Sequence, residues 1–122
     1  MQPRKQRILC VEDDSDICSM ISSLLRLIGC EVITAENVPA AWDKISNESF
    51  DLYLLDNWLP GGSGLDLCKR IREIDSVTPI IFYSGAAYAS DKDAAIKAGA
   101  QAYLVKPEDT GILVKTVRQL LA

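Results

Sequence analysis

Short apolar runs recur along the chain at intervals wide enough to hold a helix between them. Ile8–Val11 (ILCV), Val32–Ala35 (VITA), Leu52–Leu55 (LYLL), Ile80–Tyr83 (IIFY) and Tyr103–Val105 (YLV) read as strands. Several carry bulky residues at successive positions instead of strict alternation, the mark of strands buried on both faces of a parallel sheet. Between them the spacing turns helical. Ile17, Ile21, Leu24, Leu25 and Ile28 share one helix face, and Gly29 supplies a stop. Ala41 and Ile45 predict a second helix starting near Pro39, a residue tolerated in a first turn. Leu67, Ile71 and Ile74 mark a third helix. Asp91–Ala98 is a shorter, alanine-rich fourth, closed by Gly99. Leu113, Val117, Leu120 and Leu121 mark the last.

Five strands, each followed by a helix, predict an α/β fold: one parallel sheet covered on both faces by right-handed crossovers. No repeat, low-complexity stretch or interdomain linker interrupts the pattern, so residues 1–122 read as a single domain. The composition, 48% hydrophobic and 25% charged, is that of a globular chain and not of a disordered one. Seventeen acidic against thirteen basic residues give a net charge of −4. That balance argues against nucleic-acid binding by this domain, since neutralising phosphates needs a basic surface. The Arg4, Lys5, Arg7 cluster reads as a solvated N-terminal arm. No signal-like segment opens the chain, and no apolar run approaches the roughly 20 residues of a membrane span. The expectation is a cytoplasmic domain that does not engage membranes.

The absence of histidine removes several chemistries. There is no Ser-His-Asp or Cys-His nucleophile pair, no histidine metal ligand and no internal phosphohistidine donor. Cysteines at 10, 18, 30 and 68 show no C-x-x-C spacing and are expected as buried free thiols.

In open parallel sheets, ligands bind at the carboxyl ends of the strands. Glu12, Asp13 and Asp14 follow the first strand, Asp56 the third, Ser84 the fourth, and Lys106 the fifth. Asp14 or Ser15 is expected to cap the first helix. Asp56 directly follows LYLL and so lies at its carboxyl edge. If Asp13 and Asp56 face each other at about 4 Å, their repulsion is on the order of 4 kcal/mol at an effective dielectric of about 20. Lys106 offsets part of it, and a hard divalent cation with oxygen ligands offsets the rest. A set of carboxylates without imidazole or thiolate suits Mg²⁺ or Mn²⁺ better than zinc. Such a site also holds the parts for phosphoryl transfer to a carboxylate: a nucleophile, a cation, a lysine and a hydroxyl donor. Asp56 is the natural nucleophile, with Asp13 and Glu12 holding the metal.

These residues resemble the receiver domain of two-component response regulators, over essentially the whole chain. ILCVEDD is similar to the family's first strand and acidic pocket, placing Glu12 and Asp13 on the paired acidic positions. LLDNWLPGGSG resembles the motif around the phosphorylated aspartate, with Pro60 and Gly64 at the matching offsets from Asp56. FYSG puts Ser84 on the Thr/Ser position. AGAQAYLVKP puts Tyr103, Lys106 and Pro107 on the switch aromatic, the lysine and the following proline. The resemblance implies a flavodoxin-like, doubly wound (βα)5 sandwich with strand order 2-1-3-4-5. It also implies Mg²⁺ held by Asp13, Asp56 and the backbone carbonyl of Trp58, with Glu12 acting through water, and a cis Lys106–Pro107 bond.

The implied function is acceptance of a phosphoryl group by Asp56. The donor is a phosphohistidine on a sensor histidine kinase or histidine phosphotransfer protein. Such a domain promotes its own phosphorylation and dephosphorylation without being a conventional enzyme. Ser84 and Tyr103 form the implied switch pair: Ser84 moves toward the phosphoryl group and the Tyr103 ring turns inward behind it. The switching surface comprises the fourth helix, fifth strand and fifth helix, through which a homodimer is compatible. No output domain lies within these residues, so a stand-alone receiver or part of a longer regulator or hybrid kinase is expected.

Three features are unusual. Glu12 replaces the commoner Asp; bulky Trp58 is placed to shield an acyl phosphate or hinder a partner; and Gly61-Gly62 and Gly85-Ala86-Ala87 make both flanking loops permissive. The main alternative is a degenerate receiver acting as a phosphorylation-independent interaction module. A dinucleotide-binding module would need a phosphate loop where Glu12-Asp13-Asp14 stands. A metal-dependent aspartate phosphatase would need a second acid two residues after Asp56, where Trp58 stands. Trp42 reads as core.

Overall fold

Every strand expected from the apolar runs forms within one residue of its expected ends. A computed structural model describes residues 4–122. The main strands are β1 (Arg7–Val11), β2 (Glu31–Ala35), β3 (Leu52–Leu55), β4 (Ile80–Ser84) and β5 (Ala102–Val105). They pair in parallel in the order β2-β1-β3-β4-β5. The helices are α1 (Ser15–Leu27), α2 (Val38–Asn47), α3 (Gly64–Ile74), α4 (Ala89–Lys97) and α5 (Leu113–Leu121). The chain is thus an α/β doubly wound sandwich, as expected. One element was not foreseen: Trp58–Leu59 and Gly62–Ser63 pair as a two-residue antiparallel ribbon.

Continuous apolar runs arise because the sheet has two dry faces. Along β1, Leu9 and Val11 point to one side, Ile8 and Cys10 to the other. The first side joins Tyr53, Leu55, Ile80 and Phe82 to α2, α3 and α4 through Ala41, Ile45, Leu67, Ile71 and Ala95. The second joins Leu52, Leu54, Ile81 and Leu104 to α1 and α5 through Ile21, Leu25, Leu113 and Val117. β3 and β4 are buried along their whole length, whereas β2, at the sheet edge, exposes Glu31 and Thr34.

Local chemistry places the helix ends. Asp14 caps α1, its carboxylate accepting from the Asp16 and Ile17 N–H groups at 2.9 and 3.1 Å. Asn37 caps α2 by accepting from Ala40 N–H at 2.7 Å, with Pro39 in the first turn. Ser63 does the same for α3 through Asp66 N–H at 3.1 Å.

Some expectations are corrected. The basic cluster is not a free arm. Arg7 begins β1 and binds Glu31 and Glu48, while Arg4 holds both oxygens of Asp51 at 2.9 and 3.0 Å. Ile74 ends α3 on its solvent side, so the buried stripe stops at Ile71. Trp42 is half-buried against the core, with the Arg70 guanidinium 4.0 Å above its ring, and so forms the edge of the core, not its interior. Cys10, Cys30 and Cys68 are buried, but Cys18 is partly exposed; all four are free. Gly61 and Gly62 do adopt positive φ, whereas Gly85 does not, so glycine's conformational freedom is used only in the first of the two loops.

Candidate functional site

Parallel pairing brings the carboxyl ends of four strands to one edge. In register, Val11 stands beside Leu55, Leu55 beside Phe82, and Ser84 beside Val105. The ladder continues one step past the strands: Asp56 N–H donates to Val11 C=O at 3.0 Å, and Lys106 N–H to Ser84 C=O at 2.9 Å. Glu12, Asp56, Ser84 and Lys106 therefore gather at this edge because each directly follows or ends a strand of the same sheet, and Asp13 is one residue further on.

The carboxylates form a cluster. Glu12, Asp13 and Asp56 each offer an oxygen, and these oxygens lie within 4.8 Å of one another. Glu12 and Asp56 are buried, while Asp13 is exposed at the rim. The Lys106 ammonium spans the two buried acids, donating to Asp56 Oδ2 at 2.9 Å and to Glu12 Oε1. Burial pushes the Glu12 carboxyl up to about 7, opposed by the Lys106 hydrogen bond and reinforced by the Asp56 charge. For Lys106, burial works against the charge, but the hydrogen bonds to Glu12 and then Asp56 outweigh it and raise its pKa. Three carboxylates against one ammonium leave a local excess of negative charge when all are ionised. An all-oxygen donor set with that excess fits a hard divalent cation such as Mg²⁺.

The loop after Asp56 is held in place by its neighbours. Trp58 N–H donates to Asp56 Oδ1 at 3.3 Å, and Leu65 N–H donates to Asn57 Oδ1 at 3.3 Å. Gly64 N–H donates to Asn57 C=O at 3.0 Å, which presses the start of α3 onto the Asp56 backbone. A Cβ at Gly64 would collide with the Asp56 carbonyl. The Gly64 offset seen in the sequence thus has a steric cause. Nothing in the sequence singled out Asn57, whose role depends on where α3 begins. The Trp58 side chain is 66% exposed and stands beside Gly85, at the rim of the site.

On the other flank, Ser84 is fully buried at the end of β4, and its Oγ accepts from Ala86 N–H at 3.2 Å. Tyr103 stacks on Phe82 with ring centroids 5.5 Å apart and donates its hydroxyl to Ala86 C=O at 2.6 Å. The ring thus lies between β5 and the loop that leads into α4. The Lys106–Pro107 bond is cis. Tyr83, without a role in the sequence reading, bonds its hydroxyl to Thr110 and lies under the Lys106 ammonium, 5.5 Å from ring centroid to Nζ.

Comparison with known proteins agrees with this geometry. The family model for the response regulator receiver domain matches residues 8–118. The "Uncharacterized transcriptional regulatory protein YrkP" of Bacillus subtilis is 39% identical over 83% of this chain and 43% of its own length. The "Response regulator protein PilR" of Pseudomonas aeruginosa is 35% identical over 96% of this chain and 26% of its own. The chain spans about half or less of the length of these curated relatives. Among solved structures, a response regulator receiver domain protein (CheY-like) from Methanospirillum hungatei superposes with a TM-score of 0.91 at 30% identity, covering 97% of this chain and 94% of that one. A putative response regulator from Chloroflexus aurantiacus gives 0.90 at 33% identity, covering 97% and 98%. With its sheet order, its acidic strand-end cluster and these relatives in agreement, the chain belongs to the response regulator receiver domain family of two-component signal transduction.

Proposed function

We propose that this receiver accepts a phosphoryl group on Asp56 from a phosphohistidine of a sensor histidine kinase or histidine phosphotransfer protein. The observation that supports the reading best is the Asp56 carboxylate itself. It is buried, held by Lys106 at 2.9 Å and flanked by two further acids within 4.8 Å. One Asp56 oxygen attacks phosphorus, the P–N bond to the donor imidazole breaks, and an acyl phosphate forms. Lys106 orients the attacking carboxylate and then pairs with the new phosphoryl oxygens. Asp13 and Asp56, with the Trp58 carbonyl and Glu12 through water, would hold Mg²⁺ or Mn²⁺, which spreads the charge of the transferred group. The domain acts as an acceptor in a phosphorelay and not as a conventional enzyme.

Ser84 and Tyr103 carry the change outward through one shared residue. Ser84 holds the Ala86 N–H and Tyr103 the Ala86 carbonyl. A phosphoryl oxygen that draws the Ser84 hydroxyl away frees the Ala86 N–H and shifts the loop leading into α4. The output surface is α4, β5 and α5, where Ile96 and, just before α5, Ile112 are half exposed. It is compatible with a homodimer. Two relatives are named as transcriptional regulatory proteins, so within a longer protein the output would be transcriptional regulation carried outside this domain. No helix of the described residues is long and apolar enough to cross a membrane.

Acetyl phosphate with Mg²⁺ is expected to add one phosphoryl group by intact mass, and Asp56→Asn to abolish the addition. Persistent labelling of Asp56→Asn would move the nucleophile elsewhere. An unlabelled parent would favour a phosphorylation-independent interaction module.

A further inference from the structure

α4 is tied down unequally at its two ends. Its first turns, Ala89–Asp93, place no residue in the buried core. Among the described residues, Ala87–Lys97 makes hydrogen bonds only within itself, to Tyr88 and to the turn that follows it. The C-terminal end is held from α3. The Cys68 thiol, fully buried, donates to Ala98 C=O at 3.6 Å. Arg72, one turn further along α3, closes on the next carbonyl: Nε and Nη2 donate to Gly99 C=O at 3.1 and 2.9 Å. Nη2 also reaches Gln101 Oε1 at 3.1 Å, and that oxygen accepts from Ile80 N–H at 2.7 Å at the start of β4. Nη1 donates to Asp75 C=O at 3.0 Å, which fixes the guanidinium at the end of its own helix. Gly99, at φ +113°, has no room for a side chain, since a Cβ would stand 2.8 Å from Arg72 Nε.

We infer that Arg72 is a positioning residue for the switch: with Cys68 it pins the C-terminal end of α4 to α3, so that α4 answers the phosphoryl group by pivoting about Gly99. This rests on the phosphoryl reading of Asp56 given above. The last carbonyls of a helix lack partners within it, and a cation there also meets the negative end of the helix dipole. A planar guanidinium fixes direction as well as distance, because two of its N–H groups share one carbonyl.

Sliding α4 along its axis would break the Cys68 bond and both Gly99 bonds together. A tilt about Gly99 keeps them, because the pivot lies at the bonds themselves. The other end offers less resistance: the loop into α4 is held at Ala86 by the Ser84 and Tyr103 hydroxyls, and the phosphoryl group draws the first of these away. Ala89 stands about 15 Å from Gly99 at roughly 1.5 Å of helix rise per residue, so a tilt of about 10° moves it by roughly 2–3 Å. The surface that differs between the two states is therefore Ala89–Asp93, and Ile96, near the pivot, moves least. A partner that reads the phosphoryl group on α4 contacts the first turns of that helix.

The chain carries its own probe of the pinned end. Cys68 is reached by solvent only when that end lifts, and Cys30, buried on the other face of the sheet, reports general loosening. Iodoacetamide labelling of the full chain, read by peptide mass, compares the two. Arg72→Gln should speed Cys68 labelling by about tenfold or more, the effect of losing a charge-assisted hydrogen bond on a local opening, with Cys30 unchanged. Arg72→Lys, which keeps the charge without the fork, should fall between. In the parent, beryllofluoride with Mg²⁺ should shift the Ala89–Asp93 amide resonances and leave Cys68 protected. In Arg72→Gln the same ligand should extend the shifts to Ala98–Gln101. Cys68 labelling that is unchanged in Arg72→Gln, or that rises only in step with Cys30, would overturn the anchor. Faster Cys68 labelling of the parent on adding beryllofluoride would overturn the pivot. Absence of any shift around Asp56 would count against the phosphoryl reading, and with it the pivot, while the Cys68 comparison would still decide the anchor. Should Arg72→Gln not fold, Arg72→Lys and the parent decide.

Discussion

Asp13 and Lys106 show how one residue in the cluster sets the balance of the others. Glu12 and Asp56 are buried and share the Lys106 ammonium, whereas Asp13 is exposed and has no basic partner among the ion pairs of the described residues. Asp13 adds negative charge within 4.8 Å of two other carboxylates. That repulsion is a cost to the folded protein which a bound divalent cation removes. Asp13→Asn is therefore expected to have effects of opposite sign on binding and stability. Mg²⁺ affinity should fall about tenfold or more, equivalent to about 1.4 kcal/mol. Without Mg²⁺, urea unfolding should show a gain of roughly 0.5–2 kcal/mol, the usual range for relief of a functional-site strain. Trp58, beside Asp56, serves as the fluorescent reporter for the titration. Unchanged Mg²⁺ affinity would remove Asp13 from the ligands.

The proposed route from β4 and β5 to α4 runs through a short loop, and it can be tested without kinase. The Ala86 backbone is held at its N–H by Ser84 and at its carbonyl by Tyr103, two hydroxyls from adjacent strands. α4 itself contributes only Ala95 to the buried core, fewer residues than any other helix contributes, so little packing opposes its displacement. Beryllofluoride with Mg²⁺, standing in for the phosphoryl group, should shift amide resonances from Asp56 through Ala86 into Ala89–Lys97. In Ser84→Ala the ligand should still bind while the α4 shifts shrink, since one hydrogen bond and the loop's response carry the effect. An allosteric coupling of this kind is usually about 1–3 kcal/mol, less than the about 5.5 kcal/mol needed to take a population from 1:99 to 99:1. The unmodified domain should therefore sample both states. Full-sized α4 shifts in Ser84→Ala would rule out the Ser84 route.

At the scale of the molecule, the edge of the sheet opposite the site has its own charge network. Asp51 receives both Arg4 nitrogens and the Arg7 N–H, at 2.7 Å for the latter, tying the start of β1 to the entry of β3. The Arg4 hydrogen bonds hold the Asp51 carboxyl below its ordinary range, against burial and with help from the Arg7 N–H. A carboxyl depressed in the folded state stabilises it above the unfolded value, about 3.9, and that contribution disappears as pH falls through the folded value. Asp51→Asn should therefore lower stability near pH 7 and flatten the loss of stability below about pH 4. Urea unfolding at both pH values checks it. An unchanged slope would mean that the arginine contacts are too solvated to matter.

The architecture was legible because its causes are local. A run such as LYLL or IIFY can be read as a two-sided strand since each residue is apolar for its own sake, and caps such as Asp14 act within a turn. The strand-end positions of Glu12, Asp56, Ser84 and Lys106 followed from counting, because parallel strands put all their carboxyl ends on one edge. What spacing could not settle depends on contacts distant in the chain. Ile74 keeps the helical rhythm yet faces water, exposed at the last position of α3. Arg4 and Arg7 looked like a charged arm until Asp51, Glu31 and Glu48 were brought to them. Residue types and local periodicity thus determined the elements and the identity of the acidic site. Tertiary packing alone decided which charges are paired and which apolar residues are dry, because those are sums over neighbours that one stretch of sequence does not contain.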